Sequence, residues 1–348
     1  TFDFMRKYDM AFFHLTPWWF SFKFNKDGSI ADYRTQKQLL PLLKMQRDAM
    51  RKSGMKSNPK FAVAFNAYPV FKRIHIGRSN KQIKFNSPEY WKAWRNWIQG
   101  VDKIMTDNGI ARDEYIIEIF DEPQYTTPDA QAESIRAFAE AKKAVPGVLL
   151  TVTNGHPTNA GFEELAKYVD YYYFGQHHIV KPPQDGWSQR LKKMPGKRIG
   201  VYACGTNLRQ DPYRYYRRMP WLALRYNMDS VGLFSFINHG NGYGAGDFYL
   251  TPHGGLAYVA GDRNPVPSIR LEAFRGGMTD IKYMKLLEKL AAESTDKHLK
   301  SEARKLLATA PYDVEVKYPH EKDKADKVRL QAIELILKLQ KAKSRPIR

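Results

Sequence analysis

Two adjacent acids, Asp121 and Glu122, close the stretch YIIEIFDEPQY (115–125), directly after an apolar-rich run and directly before Pro123. Two carboxylates this close cannot both ionise freely. One is held protonated at higher pH and can donate a proton near neutrality, while the other stays charged. That division of labour suits proton transfer or the opening of a sugar acetal. Glu118, three residues earlier, is a candidate third member. The competing reading is plain: such a pair caps the following segment or meets an arginine.

Other polar and aromatic residues recur at the ends of apolar runs. Trp18 and Trp19 follow the first run, and Asn66 and Tyr68 follow the second. Asn154 and His156 end the fourth; Gln176, His177 and His178 end the fifth. Aromatic pairs stack on sugar faces as readily as they fill cores. The adjacent histidines invite a metal, yet no H-E-x-x-H pattern or cysteine cluster accompanies them, so neither metal nor other cofactor is expected. Substrate hydrogen bonding is the better use for them. The Gly-rich stretch INHGNGYGAGDFYL (237–250) has no G-K-[ST] to cradle phosphate. As a loop over a site it offers Asn238, His239 and Asp247.

These residues need a scaffold that gathers strand ends. Seven strand-like runs recur: 10–16, 60–65, 115–120, 148–154, 170–176, 198–204 and 230–238. Most are continuously apolar or aromatic, as in parallel strands buried on both faces. Helical patterns lie between many of them. One ends at Gly54; one opens with Ser87-Pro88 and ends near Gly109; one stops before Pro146. The stripe Trp91, Trp94, Ile98 has helical spacing and reads as core. Alternation of this kind predicts an α/β fold, a (β/α)8 TIM-like barrel whose first strand lies upstream or is unusually short. An open doubly wound sheet is the alternative, but no Gly-rich phosphate loop follows any strand. The texture changes after residue 262. The expected domains are a catalytic barrel over 1–292 and a C-terminal helical appendage over 293–348.

Composition sets the outer limits. The 348 residues are 43% hydrophobic and 26% charged, which marks a folded globular protein. No apolar run reaches the roughly 18 to 20 residues that span a bilayer. A single cysteine, Cys204, excludes an internal disulfide. The net charge is +20, and the segment 293–348 holds 14 basic and nine acidic residues, which leaves +15 in the first 292. The excess is not a basic tail. FKRIHIGRSNKQIKF (71–85) carries five Lys or Arg, and NLRQDPYRYYRR (207–218) four Arg. Both follow strands, which predicts an electropositive rim and an anionic partner such as a sulfated or uronate-bearing glycan. A generally basic surface is the plainer account. An acid pair and the lack of a nucleic-acid motif argue against a nucleic-acid partner. The opening TFDFMRKYDM has no initiator Met and reads as part of a longer precursor, with a secreted or periplasmic, bacterial location expected. Oligomeric state is not legible.

The motif FDEP (120–123) resembles the acid pair of glycoside hydrolase family 123, the β-N-acetylgalactosaminidases. The stretch 197–236, with its aromatic-rich strand and proline-containing loop, is similar to that family as well. PSIRLEAFRGGMTDIKYMKLLEKL (267–290) resembles its C-terminal signature through Arg270, Glu272, Arg275, Gly277, Asp280 and Tyr283. The resemblance implies a retaining, substrate-assisted hydrolysis of an oligo- or polysaccharide, in which the sugar's 2-acetamido oxygen attacks the anomeric carbon. It implies that Asp121 orients the acetamido group, that Glu122 serves as acid and then base, and that Tyr202 hydrogen-bonds the acetamido oxygen. The chain departs from the pattern in two places: Gly276 stands where the family has Glu, and the last strand offers Phe234 and Phe236 where the family carries Trp. A glycosidase of another specificity, or a glycan-binding protein without catalysis, are the competing functions.

Overall fold

A computed structural model of the chain describes residues 6, 13–15, 20, 22–33, 36–54, 59–64, 74, 81–120, 128–154, 161–176, 179, 186–204, 211–234, 256–259 and 265–343. The chain forms two compact units, Thr1–Gly200 and Val201–Arg348.

All seven expected runs become strands: β1 (Phe13–Leu15), β4 (Phe61–Ala64), β5 (Tyr115–Glu118), β6 (Leu149–Asn154), β7 (Tyr171–Gly175), β8 (Arg198–Cys204) and β9 (Ser230–Phe234). Two short antiparallel pairs are also among the described residues, β2 (Lys23–Phe24) with β3 (Ile30–Asp32), and β10 (Ala257–Val259) with β11 (Pro265–Pro267). In the first unit β1, β4, β5, β6 and β7 pair in chain order and in parallel. The register aligns Ala64 with Glu118, Glu118 with Thr151, and Thr151 with Tyr171. Parallel pairing requires a crossover between consecutive strands, and the helices supply it. A closed eight-stranded barrel, expected from the β/α alternation, is not shown. Among the described residues these pairings run in a row, without the pair that closes a ring, and an eighth strand is not among them.

The helices start and stop where local chemistry directs. Helix α1 (Gln36–Lys52) ends at Gly54, whose φ of 75° suits a residue without Cβ. Helix α2 (Pro88–Asp107) begins after Ser87, whose hydroxyl accepts from the Tyr90 N–H at 3.2 Å. Helix α3 (Pro128–Ala144) follows β5. Tyr90, Trp91, Trp94 and Ile98 of α2 are buried, and Trp94 stacks on Trp97 with centroids 5.7 Å apart. Trp94 Nε1 donates to the Ala137 carbonyl of α3 at 3.0 Å. Burying each such ring contributes about 2–3 kcal/mol over leaving it exposed. Two shorter helices, α4 (Phe162–Ala166) and α5 (Trp187–Lys192), are also described in this unit.

The second unit contains α6 (Met219–Arg225), α7 (Ile269–Glu293), α8 (Lys297–Tyr312) and α9 (Lys324–Lys343). Trp221 of α6, Met284, Leu287 and Ala291 of α7, Ala303 and Ala310 of α8, and Val328, Ala332 and Ile336 of α9 share one hydrophobic core. The change of texture after 262 therefore marks where helices take over from strands. The helices α8 and α9 bury their apolar faces on α7.

Candidate active site on the parallel sheet

Side chains alternate across a strand, so the register sorts the sheet of the first unit into two faces. One face carries Val63, Tyr115, Ile117, Leu150, Val152, Tyr172 and Phe174, all buried. It is aromatic and aliphatic; Phe174 meets Trp187 of α5 edge-on at 6.4 Å. The other face changes character toward the C-terminal ends of the strands. It begins with Ile116 and Ala62 and continues with Glu118 on β5, Thr151 and Thr153 on β6, and Tyr171 and Tyr173 on β7. Thr153 Oγ1 donates to Glu118 Oε1 at 3.2 Å, which confirms that the two share this face. Glu118 is only 7% exposed. The Arg198 guanidinium, at the start of β8, lies 5.3 Å from the Tyr171 ring centroid.

Ligands of parallel α/β sheets collect at the C-terminal ends of the strands, where the polar groups of this face gather. From Glu118 the chain continues through Ile119 and Phe120, both fully buried. Phe120 packs edge-on against Phe138 of α3 at 5.8 Å. Asp121 and Glu122 follow and lie outside the described residues, as do Trp18, Trp19, Asn66, His156, His177, Asn238 and Asp247. Gln176 is described: it directly follows β7 and is half-buried. Tyr202 lies on β8, in the second unit, and is buried. Among the described residues no group of three His, Cys, Asp or Glu side chains could hold a metal ion, and no helix is long and apolar enough to cross a membrane.

Of the polar face, the sequence singled out Glu118 alone. Thr151, Thr153, Tyr171 and Tyr173 were missed because LLTVTN and YYYFG read as continuous core. The signal was the period-two recurrence of Thr and of Tyr within those runs.

The second unit reassigns two residues. Arg217 and Arg218 were counted toward an electropositive substrate rim, but both are held by carboxylates. Arg217 Nε and Nη2 donate to Asp280 at 3.1 and 3.2 Å, and its Nη1 and Nη2 donate to Asp326 at 3.0 and 2.7 Å. Arg218 Nε lies 3.3 Å from Glu315 Oε1. Among the C-terminal signature residues, Asp280 is fully buried and also accepts from Trp221 Nε1 and Arg329 Nη1, at 3.1 and 3.0 Å. Burial pushes the Asp280 carboxyl up, while Arg217 pulls it down. Glu272 pairs with Arg275 on the surface of α7, and Arg270 is buried. A Cβ on Gly277 would stand 2.3 Å from the Arg217 carbonyl oxygen, so glycine permits that close approach. These signature residues tie α7 to the segment before α6.

No protein-family model matches the chain, and no curated protein matches it. A solved structure from Clostridium perfringens, a family 123 glycoside hydrolase described for glycolipid glycan hydrolysis, superposes with a TM-score of 0.66 at 12% identity. The chain has the fold of a family 123 glycoside hydrolase. The match covers 97% of this chain and 64% of the clostridial one, so the chain spans somewhat under two thirds of that relative. More distant likenesses include a family 39 glycoside hydrolase from Bacteroides cellulosilyticus, with TM-score 0.48, 17% identity and 80% and 60% of the two chains covered. A family 1 β-glucosidase from Thermotoga maritima follows, with TM-score 0.44, 9% identity and 80% and 85% covered.

Proposed function

We propose that the chain is the catalytic part of a retaining glycoside hydrolase of the β-N-acetylhexosaminidase type, with Asp121 and Glu122 as its working pair. The observation that carries the reading is the carboxylate-bearing polar face at the C-terminal end of β5, in a chain with the family 123 fold. The chain passes from that face directly into the DEP motif.

In this reading Glu122 protonates the glycosidic oxygen as the bond to the anomeric carbon breaks. The substrate's own 2-acetamido oxygen attacks that carbon from the face opposite the leaving group and closes an oxazolinium ring. Asp121 orients the acetamido group and offsets the positive charge that develops on the ring. Glu122, now a carboxylate, accepts a proton from water, which attacks the same carbon from the face the leaving group vacated. Two inversions give net retention. Tyr202 would donate a hydrogen bond to the acetamido oxygen; Asn66, His156, Gln176, His177, Asn238 and Asp247 would meet sugar hydroxyls, and Trp18 and Trp19 a sugar face. The net charge of +20 favours a sulfated or uronate-bearing glycan.

The test is hydrolysis of aryl β-N-acetylgalactosaminides and glucosaminides, with an oxazoline-mimicking inhibitor as control. Glu122→Gln should lower kcat by about 10²–10⁴-fold while retaining binding. Azide should rescue Glu122→Ala on an activated aryl substrate. Turnover that persists in both Glu122→Gln and Asp121→Asn removes the assignment.

A further inference from the structure

Helices α7 and α9 of the second unit leave three leucines open to water. Leu286 of α7 is 39% exposed, and Leu330 and Leu337 of α9 are 59% and 60% exposed. The two helices run parallel: Arg329 early in α9 meets Asp280 of α7 at 3.0 Å, and Lys343 at the end of α9 meets Glu293 at the end of α7, also at 3.0 Å. Both bury one side in the same core, α7 through Met284 and Leu287, α9 through Ala332, Ile336 and Leu339. Their outward sides therefore look the same way. At 3.6 residues per turn, Leu286 shares an arc of about 100° with Lys282, Lys285 and Lys289. Leu330 and Leu337 share an arc of about the same width with Lys327, Lys338 and Lys341. All six lysines are exposed. The acids of this surface are Glu334, Glu293 joined to Lys343, and Asp323 joined to Lys327, so a lysine surplus surrounds the leucines.

A single exposed leucine is ordinary; three on one outward surface with surplus lysines make an amphipathic face. Its charge selects the occupant. A second copy would set lysines against lysines. An anionic polysaccharide answers the lysines and leaves the leucines in water. An anionic lipid surface answers both, because ammonium groups on long stems reach the headgroups while leucines enter the acyl boundary. We propose that the outward face of α7 and α9 docks the chain on an anionic lipid surface. No described helix is long and apolar enough to cross a membrane, so this attachment is peripheral. It stands apart from the glycosidase reading, since it uses neither Asp121 nor Glu122.

The experiment is co-sedimentation of the full chain with vesicles of equal parts phosphatidylglycerol and phosphatidylcholine, free of any glycolipid, against vesicles of phosphatidylcholine alone. The partition should be at least about tenfold higher on the anionic vesicles. Leu330→Ser combined with Leu337→Ser should lower it by about tenfold at an unchanged melting temperature. Lys285→Gln, Lys289→Gln and Lys338→Gln together should also lower it by about tenfold or more. Lys44→Gln, Lys52→Gln and Lys143→Gln, three exposed lysines of the first unit, remove the same charge elsewhere and should change it far less. If the leucine variant does not fold, the two lysine triples decide. Equal losses in the two triples overturn the proposal, because the general charge of the chain then binds the vesicles. A folded leucine variant that sediments like wild type overturns it too. So does a wild-type chain that ignores anionic vesicles, the result expected if an acidic protein segment or a second copy covers this face.

Discussion

Arg218 and Glu315 form an ion pair almost without water around it: Nε lies 3.3 Å from Oε1, with the side chains 12% and 10% exposed. Each belongs to a π-helical turn or its end. Arg218 caps Tyr213–Arg217, Glu315 sits within Asp313–Lys317, and an Arg218 guanidinium nitrogen also donates to the Glu315 carbonyl. Burial outweighs the attraction of Arg218 and Arg225 and pushes the Glu315 carboxyl up to about 7. The native state thus binds this proton more tightly than the unfolded chain does. The stabilisation is fully present below the ordinary glutamate range and is lost as pH rises through about 7. Urea unfolding should show wild type losing roughly 1–3 kcal/mol across that window relative to Glu315→Gln. Parallel stability curves for the two proteins would refute this.

Asp280 neutralises Arg217 and Arg329 at a fully buried position and accepts from the Trp221 indole as well. Asp280→Asn should cost about 3–5 kcal/mol, because two guanidiniums lose a shared buried partner. Asp326 pairs with the same arginines but is 40% exposed, so Asp326→Asn should cost about 1 kcal/mol or less. Chemical denaturation of both variants checks the ordering, and equal losses contradict it.

Neighbouring glycines on α7 should respond in opposite directions. At Gly277 an added methyl meets the Arg217 carbonyl oxygen at 2.3 Å, and Gly277→Ala should destabilise by about 1–3 kcal/mol. At Gly276 the nearest atom is Arg217 Nε at 3.5 Å, ordinary contact. Gly276→Ala should be neutral or stabilise by up to about 1 kcal/mol through helix propensity. Melting temperatures of the two variants decide the matter.

Ionic strength separates an anionic from a neutral glycan. If the charge of +20 draws a sulfated substrate, its KM should rise several-fold between low and physiological salt while KM for the neutral counterpart stays level. Equal salt response for both removes the acidic-glycan proposal.

Much of the scaffold was legible in local pattern. Continuous apolar runs bounded by turn residues located all seven strands, and Ser87-Pro88 with Gly54 located helix ends, because caps and strand burial are written within a few residues of chain. The FDEP motif and the spacing of Arg270, Gly277 and Asp280 pointed to the fold that the superposition found. The closed barrel was an extrapolation from the β/α rhythm, and rhythm says nothing about which strand pairs with the last.

What the sequence determined by itself was the order of elements and a strand end bearing acids. Only tertiary structure decided that Glu118 meets Thr153 across a register, that Arg217 belongs to Asp280 and Asp326, and that α8 and α9 share a core with α7. The side-chain pairs among these join residues 35 to more than 100 positions apart. Their partners are chosen by packing and desolvation, which no local window of sequence contains.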